Sequence, residues 1–173
     1  MTTLFLLRHA KAAPASAGGS DFERFLEASG RNDAVAMGKF FAQEELPSPD
    51  LVFCSPAART RETLACFNDG ASLSGLKVFD GDILYKGDSS DYIETIRTEA
   101  QNAETILVVG HNPMMEDLAH RLTGSRDSEA FRELQRGYVT SGLAQFEFDE
   151  GFAALDDGRG NLVLFETPAT IDI

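Results

Sequence analysis

Short apolar runs and longer amphipathic segments alternate along this chain. Runs with the pattern of strands cover residues 3–7, 51–54, 78–84, 105–109, 142–148 and 161–165. Segments with the periodicity of helices cover residues 32–45, 56–67, 92–100 and 113–122. Alternation of this kind is typical of an α/β fold, so we expect a three-layer α/β/α sandwich with a mainly parallel central sheet.

Two of the three histidines directly follow predicted strands. His9 comes after Arg8 at the end of the first strand, and His111 comes after the strand over residues 105–109. Both strands are almost continuously apolar, as buried parallel strands are. Because the carboxyl ends of parallel strands border the ligand crevice of an open sheet, we expect His9 and His111 to meet there. The third histidine, His120, lies on a predicted helix, where we expect a surface or helix-capping role.

Two of the predicted helices begin with a similar dipeptide. Ser55-Pro56 and Asn112-Pro113 each join a favoured N-cap residue to a proline at the predicted first helical position. Free backbone N–H groups and the positive end of the helix dipole at such a start favour an anion, typically a phosphate. Arg59 lies one turn into the earlier helix and can lean back toward its start.

The charge of the chain limits the classes of partner. A formal net charge of −13 argues against a nucleic-acid partner, which would need a basic face for phosphate contacts. The predicted strand ends nevertheless bring together one local cationic cluster, formed by Arg8, His9, Arg59 and His111. A basic pocket on an acidic protein suggests a ligand that carries phosphate.

Composition indicates a single domain over residues 1–173. The content of 43% hydrophobic and 25% charged residues is ordinary for a globular protein. Cys54 and Cys66 are too few for a disulfide framework, so we expect both to be reduced. The sequence contains neither the pattern of a signal peptide nor an apolar run of about 20 residues that could span a membrane. We therefore expect a cytoplasmic protein without membrane contact.

Three short motifs resemble those of the histidine phosphatase superfamily, most closely its small SixA-like phosphohistidine phosphatases. They are Leu-Arg-His-Ala-Lys over residues 7–11, Ser-Pro-Ala-Ala-Arg-Thr-Arg-Glu-Thr over residues 55–63, and Val-Gly-His-Asn-Pro over residues 109–113. Weaker similarity extends to residues 21–30 and 140–144. The motifs occur in the family's order over nearly the whole chain, and the resemblance implies a phosphoglycerate mutase-like fold.

By that resemblance, His9 is the nucleophile that accepts the phosphoryl group, and Arg8, Arg59 and His111 hold the phosphate oxygens. Asn112 belongs to the same substrate-binding set. The physical chemistry agrees, because neighbouring arginines disfavour protonation of an imidazole and so keep it nucleophilic. Guanidinium groups also neutralise phosphoryl charge without a metal, so we expect no cofactor. The expected substrate is a phosphorylated protein, with small phosphate esters as the alternative.

The family's proton donor is a glutamate just after the third strand, but Lys86 stands at the matching position here. Asp88 and Asp21 are therefore the candidate proton donors. The loss of the glutamate favours phosphohistidine as substrate, because imidazole leaves more readily than an alkoxide. The missing glutamate also motivates an alternative function, a module that binds phosphate without hydrolysing a substrate.

Two other chemistries are less consistent with the sequence. Cys54 and Arg59 resemble the C-x5-R loop of cysteine phosphatases, but only four residues separate them, so we expect Cys54 to be a buried structural residue. Histidines with Glu116 and Asp117 have the ligand chemistry for zinc. Arg8 and Arg59 beside the site would repel a metal cation, so we expect no metal.

Overall fold

The structure, a computed structural model, describes residues 1–172. Its strands are β1 (Thr2–Arg8), β2 (Leu51–Cys54), β3 (Val78–Phe79), β4 (Thr105–Gly110), β5 (Leu143–Phe148) and β6 (Asn161–Glu166). Its α-helices are α1 (Ala28–Gln43), α2 (Ala58–Ala71), α3 (Ile83–Lys86), α4 (Ser89–Glu99), α5 (Met114–Leu122) and α6 (Glu129–Leu134). Single 3-10 turns cover Asp21–Glu23 and Phe152–Ala154.

All six strands form one sheet in the order β3-β2-β4-β1-β5-β6. The pairs β2/β3, β2/β4 and β1/β4 are parallel, and β5 and β6 add an antiparallel edge. The prediction of a mainly parallel central sheet is therefore confirmed.

Side chains of β1 alternate between two apolar cores, because successive residues of a strand point to opposite faces of the sheet. Phe5 and Leu7 pack on the face covered by α1 and α2, together with Met37, Phe41 and Phe67. Leu4 and Leu6 pack on the opposite face, with side chains of α4, α5 and α6 that include Ile93, Leu118 and Phe131. Helices on both faces of the sheet make the predicted three-layer sandwich.

The predicted strand over residues 78–84 is wrong beyond its first two residues. Only Val78 and Phe79 pair with β2, at the edge of the sheet. Gly81 and Asp82 then accept backbone hydrogen bonds from the residues that start α3. The apolar residue Leu84 is buried beneath α4 instead of pairing in the sheet, because the polar Asp-Gly-Asp sequence favours a turn at this point.

The two dipeptides at the helix starts also differ from the prediction. Helix α2 begins at Ala58 with Ala57 as its N-cap, so Ser55 is not the cap. Helix α5 begins at Met114 with Pro113 at the N-cap position, but the side-chain oxygen of Asn112 accepts from the backbone N–H of Glu116 in the first turn, as a capping side chain does. The physical reason at the first joint is that the Ser55 hydroxyl is already hydrogen-bonded, to the ring of His111.

Within residues 1–172, we find no helix that is both long enough and apolar enough to cross a membrane.

Candidate active site

The two strand-end histidines lie next to each other, as the parallel sheet predicts. Strands β1 and β4 are neighbours, and Arg8 is in register with Gly110. The backbone N–H of His9 donates to the carbonyl of Gly110 at 2.9 Å. This register brings the rings of His9 and His111 to a centroid distance of 5.4 Å.

The ring of His9 is held in one tautomer by its backbone. Its Nδ1 lies 2.7 Å from the carbonyl oxygen of Ala10, and since a carbonyl only accepts, Nδ1 carries the proton. Burial is the largest cause that lowers the pKa of His9 to about 4; the Ala10 hydrogen bond opposes it, and the guanidinium groups of Arg59 and Arg8 act in the same direction as burial. At neutral pH the ring is therefore uncharged, and Nε2 has a free electron pair.

His111 is buried more deeply, with 4% of its surface exposed. Its Nε2 lies 2.7 Å from the hydroxyl of Ser55. Its Nδ1 is buried and has no hydrogen-bond partner among the residues that the structure describes. Burial lowers the pKa of His111 to about 3, with further contributions from Arg59 and the neighbouring His9. This ring, too, is uncharged at neutral pH.

Arg59 approaches the histidines from the start of α2. Its Nη1 donates to the carbonyl of Asp21 at 2.8 Å, and its Nη2 donates to the carboxylate of Asp21 at 3.0 Å. The remaining donor, Nε, is buried and has no acceptor within residues 1–172.

Arg8 is oriented in a similar way by a backbone carbonyl. Its Nη1 donates to the carbonyl of Tyr138 at 2.6 Å, and the side-chain amide of Asn112 donates to the same oxygen at 3.1 Å. The Nε of Arg8 is buried without an acceptor in the described part of the chain. The structure therefore brings together Arg8, His9, Arg59 and His111, with Asn112 beside Arg8.

The two candidate proton donors have different surroundings. Asp21 carries hydrogen bonds from Arg24, Tyr85 and Arg59. The bond from Arg24 is the largest cause that lowers the pKa of Asp21 to about 2, so its carboxylate is ionised at neutral pH. Asp88 is exposed and caps α4, where its carboxylate accepts from two backbone N–H groups of that helix. The structure therefore brings Asp21, but not Asp88, into contact with the arginines.

Three residues of this region were not predicted from the sequence. Ser55 was assigned to a helix cap but contacts His111. The ring of Tyr85 lies edge-on to His111 at 5.6 Å, and its hydroxyl donates to Asp21 at 3.1 Å. Tyr138 is fully buried, and its hydroxyl donates to the carbonyl of Leu6 at 2.6 Å. Ser55 and Tyr85 had a sequence signal, since Ser55 opens the motif over residues 55–63 and Tyr85 adjoins the position where the family's glutamate is expected.

The sequence also raised two other chemistries, a cysteine nucleophile at Cys54 and a metal centre. Burial raises the pKa of the Cys54 thiol to about 12, so the reactive thiolate is not formed at neutral pH. Within residues 1–172, no three His, Cys, Asp or Glu side chains are grouped so that they could hold a metal ion.

A groove of about 800 Å³ is lined by the chain segment around Asp21–Glu23 and by residues at the start of α2, and Arg8, His9, Arg59 and His111 are not among its lining residues. Its lining includes Pro14, Phe22, Arg24, Phe25, Pro56 and Arg61. Phe25 is 62% exposed and Phe22 is 38% exposed. Arg24 connects the groove to the cluster, because it pairs with Asp21, which in turn pairs with Arg59.

Comparison with known proteins assigns this arrangement to a family. The sequence profile of the histidine phosphatase superfamily (branch 1) matches residues 4–78. An uncharacterized protein of Mycobacterium tuberculosis is 32% identical over 164 residues, which cover 94% of this chain and 99% of the relative. A phosphohistidine phosphatase SixA homolog of Haemophilus influenzae is 26% identical over 137 residues, which cover 74% of this chain and 81% of the relative.

Two solved structures are similar over almost the whole chain, and both are assigned as phosphohistidine phosphatase SixA. The structure from Nakamurella multipartitia is 31% identical, with a TM-score of 0.83 and coverage of 96% of each chain. The structure from Agrobacterium tumefaciens is 30% identical, with a TM-score of 0.80 and coverage of 96% of this chain and 98% of the other. With sequence, fold and motif order in agreement, the chain belongs to the histidine phosphatase superfamily and is a SixA-like phosphatase.

Proposed function

We propose that this protein removes the phosphoryl group from phosphohistidine on a protein, through a covalent intermediate on His9 and without a metal. Residues 1–173 would act as one catalytic domain. The observation that carries the proposal is a set of three buried nitrogens without partners, Nε of Arg8, Nε of Arg59 and Nδ1 of His111, around an uncharged His9. A buried donor without an acceptor costs about 1–3 kcal/mol, and phosphoryl oxygens would supply the missing acceptors.

The hydrogen bonds of Arg59 leave donors free on one edge of its guanidinium group. Asp21 uses Nη1 and Nη2 of Arg59, which leaves Nε and the second hydrogen of Nη2 as a side-on fork. A guanidinium fork of this kind binds two phosphoryl oxygens at once. Arg8, with Nε equally free, adds a second positive charge, so the two arginines would neutralise the charge of the transition state.

The reaction takes place in two displacements. The Nε2 lone pair of His9 attacks phosphorus, and the bond between phosphorus and the substrate's imidazole nitrogen breaks. That nitrogen keeps the electron pair, and the substrate histidine leaves neutral when its other ring nitrogen is protonated. Water then attacks the phosphoryl group on His9, and inorganic phosphate and the free Nε2 are formed. The Nδ1 hydrogen bond to Ala10 keeps the ring in the reactive tautomer throughout.

Proton donation supports a phosphohistidine substrate over an alkyl phosphate. The carboxyl of Asp21 is ionised, with its pKa lowered to about 2, and Asp88 is used as a helix cap. Burial raises the pKa of the Tyr85 phenol, so that group stays protonated but is a weak acid. An alkoxide leaving group needs a strong proton donor, whereas an imidazole does not.

The groove beside the cluster supports a protein as the phosphoryl donor. Its exposed phenylalanines, Phe22 and Phe25, form an apolar surface that a small phosphate ester would leave uncovered. We assign this groove to the surface of the substrate protein next to its phosphohistidine. The similar solved structures, both assigned as phosphohistidine phosphatases, are consistent with this choice.

A substrate panel tests the proposal. The protein is assayed on a phosphohistidine peptide, an aryl phosphate, and a set of sugar and nucleotide phosphates, with and without a chelator. We expect turnover of the peptide and the aryl phosphate, slow turnover of the alkyl phosphates, and no effect of the chelator. Faster turnover of alkyl phosphates than of the peptide would favour small esters as the substrates.

A labelling experiment with the same substrates distinguishes an enzyme from a binding module. After an acid-free quench, protein incubated with substrate should carry acid-labile phosphate. His9→Ala should remove this label and lower turnover by about 10⁴-fold or more. His120→Ala is the matched control, because this ring contacts Phe131 on α6 instead of the cluster. Saturable phosphate binding without turnover by the unmodified protein would indicate a binding module.

A further inference from the structure

We propose that Ser55 is a positioning residue that keeps His111 in the tautomer with its proton on Nδ1. The catalytic consequence of this inference rests on the proposed function. Ser55 follows β2 directly and is fully buried. Its Oγ lies 2.7 Å from Nε2 of His111, and the other ring nitrogen has no partner among the described residues.

The number of buried polar groups left unpaired indicates whether Ser55 or His111 donates the hydrogen bond between them. If Nε2 carried the proton and donated to Ser55, the hydroxyl hydrogen of Ser55 would need an acceptor of its own, and residues 1–172 supply none besides this ring. Two buried polar groups, the hydroxyl hydrogen and Nδ1, would then be unpaired. If Ser55 donates to Nε2, only Nδ1–H is unpaired. Since each unpaired buried group costs about 1–3 kcal/mol, donation by Ser55 is favoured.

The tautomer matters because the ring has no charge. The pKa of His111 is lowered to about 3, so at neutral pH the ring has one N–H group. That hydrogen can stabilise a phosphoryl oxygen only if it is on Nδ1, the nitrogen that Ser55 leaves free. With the hydrogen on Nε2, Nδ1 would present an electron pair to the phosphoryl oxygens. The negative charge of these oxygens would make that contact repulsive. Neutral imidazole favours the Nε2–H tautomer in water, so without Ser55 the ring would tend toward the unproductive form.

The tautomer can be measured directly, before any assay of activity. The protein has three histidines, so the ¹⁵N resonances of His111 can be assigned with His9→Ala and His120→Ala. In the unmodified protein at neutral pH, we expect the Nε2 shift of an unprotonated nitrogen and the Nδ1 shift of a protonated one. In Ser55→Ala, we expect both shifts to move toward the opposite tautomer. Unchanged shifts in a folded Ser55→Ala variant would overturn the inference, whether or not the protein is a phosphatase.

The kinetic consequence is measured on the aryl phosphate. We expect Ser55→Ala to lower kcat roughly five- to tenfold with little change in KM, the scale of one hydrogen bond that is needed in the transition state. In the His111→Ala background, Ser55→Ala should have no further effect, because the two residues act through one contact. Full additivity of the two losses would show that Ser55 does not act through His111.

Ser89→Ala is the matched control for loss of a buried serine hydroxyl. Ser89 is also buried, but its partners are Asp117 and Arg121 at the junction of α4 and α5. We expect this variant to leave the His111 shifts and kcat unchanged. Equal changes in Ser89→Ala and Ser55→Ala would indicate a general loss of packing and overturn the specific role of Ser55.

Discussion

At the scale of single residues, hydrogen bonds determine which nitrogen of each buried ring can react. His9 and His111 are both uncharged at neutral pH, but the carbonyl of Ala10 leaves Nε2 free in one and the hydroxyl of Ser55 leaves Nδ1 free in the other. Under the proposed function, one ring would have a lone pair for attack, and the other would offer a hydrogen to the phosphoryl oxygens. Two side chains of the same type would then serve opposite tasks, because their hydrogen bonds occupy different ring nitrogens.

The lowered histidine pKa values predict how stability changes with pH. In the unfolded chain these rings titrate near 6.5, whereas in the folded protein their pKa values are about 4 for His9 and about 3 for His111. Below pH 6.5 the unfolded chain binds protons that the folded protein does not, so the free energy of unfolding should decrease as the pH falls from about 6.5 to about 3, where His111 titrates in the folded protein. Denaturant unfolding of the unmodified protein and of His111→Asn measures this. The variant should show a weaker decrease, and an identical pH dependence would contradict the assigned pKa shift.

The fork of Arg59 predicts that lysine is a poor substitute. Arg59→Ala should lower kcat by about 100-fold, the scale for loss of one transition-state donor. Arg59→Lys should recover only part of this loss, because an ammonium group cannot reproduce the planar fork that leaves one edge for two phosphoryl oxygens while the other donates to Asp21. Arg31→Lys, a change of an exposed arginine that pairs with Glu62, is the control. Full activity of Arg59→Lys would show that Arg59 lies outside the phosphoryl site.

At the scale of secondary-structure elements, the starts of the helices are used for different purposes. Helix α4 begins with a capping box, in which Asp88 accepts from the backbone of Ser90 and Asp91. Helix α2 begins without a side-chain cap, because its N-cap residue is Ala57, and Ser55 two residues earlier contacts His111 instead. The start of α4 therefore carries a stabilising cap, and Ser55, ahead of α2, has the positioning role proposed above.

The cap of α4 predicts that Asp88 affects stability and not catalysis. Asp88→Ala should lower the free energy of unfolding by about 1 kcal/mol, the usual value of an N-cap side chain. Asp88→Asn should restore most of this loss, since asparagine is an equally good cap. Both variants should keep the kcat of the unmodified protein on alkyl and aryl phosphates. A selective loss of alkyl-phosphate hydrolysis in Asp88→Asn would instead identify Asp88 as the proton donor.

At the scale of the whole molecule, the ion pairs of Asp21 with Arg24 and Arg59 connect the groove to the proposed phosphoryl site. The sheet supplies His9 and His111, α2 supplies Arg59, and the segment around Asp21–Glu23 contributes Arg24 and the exposed phenylalanines. The proposed phosphoryl site would hold the phosphoryl group of any substrate whose leaving group needs no strong proton donor. Selection among substrates is therefore expected to come from the groove.

The groove predicts that a single substitution separates protein substrates from small ones. Phe25→Ser should lower kcat/KM for a phosphohistidine protein about tenfold or more, since burial of a large apolar side chain contributes about 1.5–3 kcal/mol. Hydrolysis of the aryl phosphate should be unchanged. Val163→Ser on β6, an apolar side chain that is 40% exposed, is the control and should affect neither substrate. Equal losses on both substrates would contradict a docking role for the groove.

Most of the strands, and the chemistry of the residues that follow them, could be predicted from the sequence. Apolar runs are local signals, so β2 was predicted with its observed ends, and the start of β6 was predicted as well. The prediction of a strand over residues 78–84 was wrong beyond Phe79, because a local apolar pattern does not distinguish an edge strand from a buried turn of helix. The candidate residues Arg8, His9, Arg59 and His111 were identifiable because each belongs to a short motif at a strand end or helix start.

The orientation of these residues depends on tertiary packing and could not be predicted from the sequence. Asp21 meets Arg59 across 38 positions of the chain, Ser55 meets His111 across 56, and the carbonyl of Tyr138 meets Arg8 across 130. A backbone carbonyl such as that of Tyr138 has no side-chain signature at all. Contacts of this kind depend on the packing of whole elements, which brings distant residues within hydrogen-bond distance, and no local pattern encodes them. Packing therefore decided which donors are occupied and which three nitrogens are left without a partner.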